Sequence, residues 1–148
     1  MWARRAPAVC GVLARALIVA GLVASASSCG LAEASGAADV AADRFHMLYQ
    51  DEKWGEIYAE ASPRLRQVTT EADFAELMSA IRRKLGAYRS ASRTSVNVNA
   101  TTDGTTVSQV FDTEFAEGHA TEELRWSIVS GRAVLLYYNI NSPLLILR

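Results

Sequence analysis

The pattern of apolar and polar positions changes at Gly86. Before it, apolar residues return every three or four positions, the spacing that gathers them on one face of an α-helix. Ala38, Ala41, Ala42, Phe45, Leu48 and Tyr49 form such a face, with Asp39, Asp43, His46 and Gln50 on the opposite one. Trp54, Ile57, Tyr58 and Ala61 repeat the spacing in a second, shorter helix that Ser62-Pro63 is expected to end. Phe74, Leu77, Met78, Ile81 and Leu85 mark a third, with Thr70 placed to cap its start and Gly86 its end. Arg82, Arg83 and Lys84 fall in its last turn, where the helix dipole favours cations, so they read as solvated helix-end charge rather than a phosphate or partner site.

After Gly86 the period falls to two and β-branched residues take over. Four strands are expected near Tyr88 to Asn99, Thr105 to Phe115, Thr121 to Val129 and Ala133 to Asn141. Asp103-Gly104, Glu117-Gly118-His119 and Ser130-Gly131 supply the hairpin turns. Val107, Gln109, Phe111, Thr113 and Phe115 share one face of the second strand, and Leu124, Trp126 and Ile128 one face of the third; these are the expected inner rows. Consecutive strands joined by short turns exclude a parallel doubly wound sheet. The expectation is a single α+β domain over residues 38–148, with three N-terminal helices packed on a curved four-stranded antiparallel sheet.

The start of the chain reads differently. Arg4, Arg5 and Arg15 precede the uncharged run Ala16 to Ala26, and Ser27-Ser28-Cys29 follows. This is the charged, apolar, small-residue order of an export signal, and the run is about half of the ~20 residues a membrane-spanning helix needs. Small residues directly before Cys29 resemble the lipobox of bacterial lipoproteins, in which the cysteine becomes the first mature residue and carries lipid. Residues 1–28 are therefore expected to be a lipoprotein signal peptide, and residues 29–37 a flexible tether. The protein would sit at the membrane of the bacterial cell envelope through lipid on Cys29, facing the periplasm or exterior. Cleavage before Cys29 also removes Cys10, so the mature chain could form no internal disulfide and must be held by its core.

Composition adjusts this picture at one point. Residues 1–28 hold three of the fifteen basic residues and none of the sixteen acidic ones, so the mature chain has a formal charge of −4. Nucleic-acid binding loses its main driving force. His46 and His119 are too few for a zinc site, no serine or cysteine sits in a nucleophile motif, and no glycine-rich phosphate loop exists, so no metal or cofactor is expected.

The aromatic second helix (Asp51, Trp54, Tyr58, Ala61-Ser62), the closing Arg82-Arg83-Lys84-Leu85-Gly86, and Phe111-Asp112-Thr113-Glu114-Phe115 followed by Glu122 or Glu123 resemble a group of small exported bacterial domains of unknown function. That group lies within the nuclear transport factor two-like and cystatin-like superfamily. The resemblance runs from about Ala38 to Ile140. It implies a conical space between helices and sheet, used by some members for isomerisation or dehydration through a buried carboxylate or histidine with a tyrosine. Here Asp112 or Glu114 would be the acid and Tyr49, Tyr58 or Tyr138 the donor, yet an inward phenylalanine row turns both acids outward. His46, on the polar face of its helix, reads as solvated. Phe45, Tyr49, Trp54, Tyr58, Phe111, Phe115 and Trp126 are the candidate lining of a pocket, or else simply the core. No catalytic residue is assigned. The expected function is that of a lipid-anchored, non-enzymatic accessory or binding domain, with two alternatives. One is a lyase- or isomerase-like enzyme, whose sign would be a closed pocket with a buried carboxylate or histidine facing a tyrosine. The other is an interaction module that presents its open sheet face or its apolar tail, Leu144 to Arg148, to a protein partner or a second copy in a homodimer.

Overall fold

A computed structural model describes the backbone over Val19–Ile146 and the side chains from Gly30 onward. The expected export signal, up to residue 18, and the Cys29 side chain lie outside the described residues. Contacts divide the chain into Met1–Gly30 and Leu31–Arg148. The described part of the first unit is helical; the second is the folded body. Among the described residues no helix is long and apolar enough to cross a membrane.

The body is an α+β arrangement in which α1 (Val19–Gln50), α2 (Trp54–Glu60), α3 (Pro63–Val68) and α4 (Glu71–Leu85) precede β1 (Tyr88–Thr101), β2 (Gly104–Phe115), β3 (Gly118–Val129) and β4 (Arg132–Asn141). A single turn, α5 (Pro143–Ile146), follows. The strands form one open antiparallel sheet in the order β1-β2-β3-β4. Period-two alternation located them well, and the expected inner row of β2 is buried throughout while Asp112 and Glu114 point to water.

The helices correct the expectation of three. Ser62-Pro63 does not simply stop α2. The Ser62 hydroxyl accepts from the Leu65 N–H at 3.2 Å and Pro63 occupies the first turn of α3, a position that needs no N–H. Leu31 to Ala37, expected as a tether, lies within α1, and Ala34 packs into the core one turn before Ala38. Alanine has the highest helix propensity, and one Gly36 does not outweigh that packing. After β4 the chain turns into α5, which brings Leu145 onto the core and leaves Leu144 and Ile146 exposed.

α4 follows its end signals closely. Thr70 accepts from the Asp73 N–H at 3.1 Å, and its hydroxyl donates to the Asp73 carboxylate at 2.7 Å, which holds the capping rotamer. At the other end Gly86 takes φ +79°, and its N–H bonds Arg82 O at 2.9 Å. The turn then docks on the β2–β3 hairpin through Glu117 N–H to Leu85 O, 2.9 Å. A Cβ at Gly86 would lie 2.9 Å from the Ala116 Cβ, so both the dihedral and the space demand glycine. Gly86→Ala is expected to cost about 2 kcal/mol, and Thr70→Ala about 1 kcal/mol, read as shifts in urea midpoint at unchanged slope.

Candidate functional site

The interior contains a charged centre. Glu122 lies on β3 two residues before Leu124, on the inner row, and is 1% exposed. Its Oε2 accepts from Thr113 Oγ1 on β2 at 2.5 Å and sits 3.0 Å from His46 Nε2 on α1. Its Oε1 accepts from the Tyr138 hydroxyl on β4 at 2.8 Å. One carboxylate thus ties α1 to three strands, with both oxygens occupied.

His46 corrects the expectation of a solvated histidine, being 4% exposed. Ala38, Ala42 and His46 fall on one i, i+4 ridge, and the two small residues let α1 approach the sheet closely enough for the third to reach Glu122. Its ring stacks on Tyr88 at 4.6 Å and meets the edges of Phe45 and Phe111, each at 5.6 Å. Asp39, on the same side of the helix as His46, makes a second bridge. Gln109, fully buried, donates to Asp39 at 2.7 Å and accepts from the Trp126 indole at 2.8 Å, and Arg93 of β1 pairs with the same Asp39 carboxylate. Among the described residues no buried side-chain polar atom lacks a partner.

A β-bulge places Tyr138. Arg125 pairs with Tyr137 but Trp126 pairs with Leu135, so Leu136 is an extra residue in β4. Plain alternation from Leu135 would send Tyr137 inward. The bulge sends Tyr138 inward instead, opposite Leu124.

The electrostatics follow from burial. Water exclusion alone would push the Glu122 carboxyl up. The hydrogen bond and charge of His46, then Thr113 and Tyr138, outweigh it and hold the group below the usual carboxylate range. Burial, then the neighbouring Glu122 charge, raises Tyr138 well above the ordinary phenol value. Tyr49 and Tyr88 are also raised, chiefly by burial.

The aromatic residues proposed as pocket lining are dispersed. Phe45 and Trp126 line a cavity of about 70 Å³ with Ala41, Leu48, Ile57 and Leu135, small beside the ~300 Å³ and upward of ligand pockets. The others do not reach it. Tyr49 packs on Trp54 at 5.3 Å and Phe115 at 5.6 Å, Tyr58 on Phe74 at 5.9 Å, and Phe111 on His46. A larger groove, about 300 Å³, lies between α4 and β4 and is lined by Leu77, Ile81, Lys84, Tyr138, Ile140 and Leu145 among others. Neither Glu122 nor His46 lines either space. Among the described residues no cluster of three or more His, Cys, Asp or Glu is placed to hold a metal ion.

Residue spacing alone left the Glu122 cluster unassigned. A signal was present, because Glu122 has the same strand parity as Leu124 and Trp126, so an inward row for those two carries a carboxylate inward as well.

The sign of the pH dependence follows from the depressed Glu122. Its stabilisation is fully present above the unfolded carboxylate value, about 4.3, and is lost as pH falls through the lower folded value. His46→Leu leaves the carboxylate buried without its strongest partner and is expected to cost about 3 kcal/mol at pH 7. That cost should shrink progressively below about pH 5, as protonation removes the unpaired charge, in urea unfolding measured across pH.

Comparison with known families meets this geometry from α1 through the first residue of β4. Residues 41–132 match a family model described as protein of unknown function (DUF4019), a span that holds His46, Thr113 and Glu122 and stops short of Tyr138. No curated protein matches the chain. Since the matched span is more than half of the 148 residues, the chain belongs to the DUF4019 family.

Proposed function

We propose that this protein is an exported lipoprotein of the bacterial cell envelope, anchored through Cys29, whose folded body is a non-catalytic accessory or binding domain of the nuclear transport factor two-like class. The observation that carries the non-catalytic reading is the state of Glu122. It has the partners an acid–base enzyme would use, a histidine and a tyrosine, but both carboxylate oxygens are committed to hydrogen bonds inside the core. A base must reach the proton it removes, within about 3 Å or through one water. The order of helices followed by an antiparallel meander supports the fold class. Arg4, Arg5, the apolar run after Arg15 and Ser27-Ser28-Cys29 support the anchor.

One observation favours the lyase- or isomerase-like reading. Tyr138 lines the groove between α4 and β4 and also donates to Glu122, so a ligand seated there would touch the edge of the network. The sign of a stability change separates the two. Active-site groups are commonly held at a cost in stability, so replacing a catalytic carboxylate tends to stabilise, whereas replacing a structural one destabilises. Glu122→Gln is expected to lower the unfolding free energy by about 2 to 4 kcal/mol at pH 7, and a rise would favour the enzyme.

The anchor has its own test. Mass spectrometry of the membrane fraction should find a mature N-terminus at acylated Cys29, and Cys29→Ala should release the protein from that fraction. An unmodified Cys29 would remove the anchor and leave the fold class untouched.

A further inference from the structure

The two edges of the sheet are treated differently. On β4 the Ser62 N–H donates to Leu135 O at 2.8 Å, α3 packs beside the strand, and the bulge at Leu136 interrupts the regular ladder. That edge is covered and bent, two recognised protections against unwanted pairing. β1, the other edge, pairs with β2, and among the described residues no strand lies on its free side. Its first half is interrupted by extra residues at Arg89 and Thr94. From Ser95 to Thr101 the pairing with β2 runs without a shift, and these seven residues include no charge, proline or glycine.

An open edge of this kind presents unpaired N–H and C=O groups, whose chemical complement is another extended backbone. Here the side chains also complement a second copy of the same segment. Val96, Val98 and Ala100 lie on the inner row, opposite Gln109, Val107 and Thr105 of β2, while Ser95, Asn97, Asn99 and Thr101 lie on the outer row. An antiparallel pair centred on Val98 sets Val98 against Val98 and Val96 against Ala100, burying a valine that is 41% exposed in the single chain. In the other row it sets Asn97 against Asn99 and Ser95 against Thr101, pairs that can exchange hydrogen bonds. The same centre uses the whole unbroken segment. The nearest charge before the segment, Arg93, is already paired with Asp39 of its own α1 and lies beyond the extra residue Thr94, so the match rests on the uncharged rows.

We propose that two copies of this protein associate through β1, pairing Ser95–Thr101 antiparallel about a two-fold axis at Val98 to form a continuous eight-stranded sheet. The contact is isologous, so it closes at two copies and leaves the protected β4 edges outermost. A seven-residue strand pair covers less than the ~1,600 Å² of a standard stable interface, so the dimer is weak and concentration-dependent. This association is independent of the lipid anchor, and failure of either leaves the other standing.

Sedimentation of the full chain over a range of concentrations tests it. The wild type should move from monomer to dimer. Val98→Lys, which faces two ammonium groups across the axis, should weaken association at least tenfold. Val96→Lys, at a position already 41% exposed in the single chain, should weaken it several-fold by placing a charge against Ala100 of the other copy. Circular dichroism confirms that each variant folds. A chain monomeric at every concentration overturns the proposal, as does a dimer indifferent to both substitutions, which would place the interface elsewhere. Assembly beyond two copies overturns the closed two-fold and would point to heterologous edge pairing.

Discussion

Glu122 brings a carboxylate into an interior that otherwise excludes water, and the arrangement around it follows from what a buried charge requires. An ion of that kind costs several kcal/mol to desolvate, and persists only where hydrogen bonds and an opposite charge compensate it. Compensation comes from three elements at once, His46 from α1, Thr113 from β2 and Tyr138 from β4, while β3 supplies the acid itself. Apolar packing alone would tolerate small slides of α1 over the sheet. A carboxylate with directional partners at 2.5 to 3.0 Å does not. The Trp126–Gln109–Asp39 thread repeats the device, with α1 again tied to β2 and β3. Two polar ties along one helix set its position along the sheet and its rotation.

The irregularities of the sheet serve the same arrangement. Leu136, the extra residue in β4, reverses the parity of everything after it and turns Tyr138 towards Glu122. The extra residues at Arg89 and Thr94 lie beside the region where α1 crosses, marked by the Arg93–Asp39 pair. Beyond that region β1 is regular and open. The same strand therefore holds a protected half next to the helix and an unprotected half away from it. That contrast is what gives the edge its significance for association.

Much of the fold was legible in the chain because it rests on local rules. Hydrophobic periods of 3.6 and 2 placed α4 and all four strands, since burial of one face is the same requirement wherever the element ends up. Thr70 and Gly86 marked the ends of α4 through capping, which involves residues only a few positions apart. The inner row of β2, Val107 to Phe115, followed from alternation, and so did the outward turn of Asp112 and Glu114. Where local rules compete, they do not by themselves decide the element. Ser62-Pro63 both ends one helix and begins another, and alanine-rich Leu31 to Ala37 has the composition of a linker with the propensity of a helix.

The sequence by itself therefore determined an α+β chain of helices followed by an antiparallel meander, and which strand faces are apolar. Only the tertiary structure decided that His46 is buried, that Glu122 is its partner 76 residues away, and that Tyr138 rather than Tyr137 completes the site. The physical reason is one of range. Periodicity and capping are energies between near neighbours, so each segment states them for itself. The partner of a buried charge depends on how closely two alanines let a helix approach a sheet, and on one bulge that shifts strand parity. Neither exists until the elements have packed.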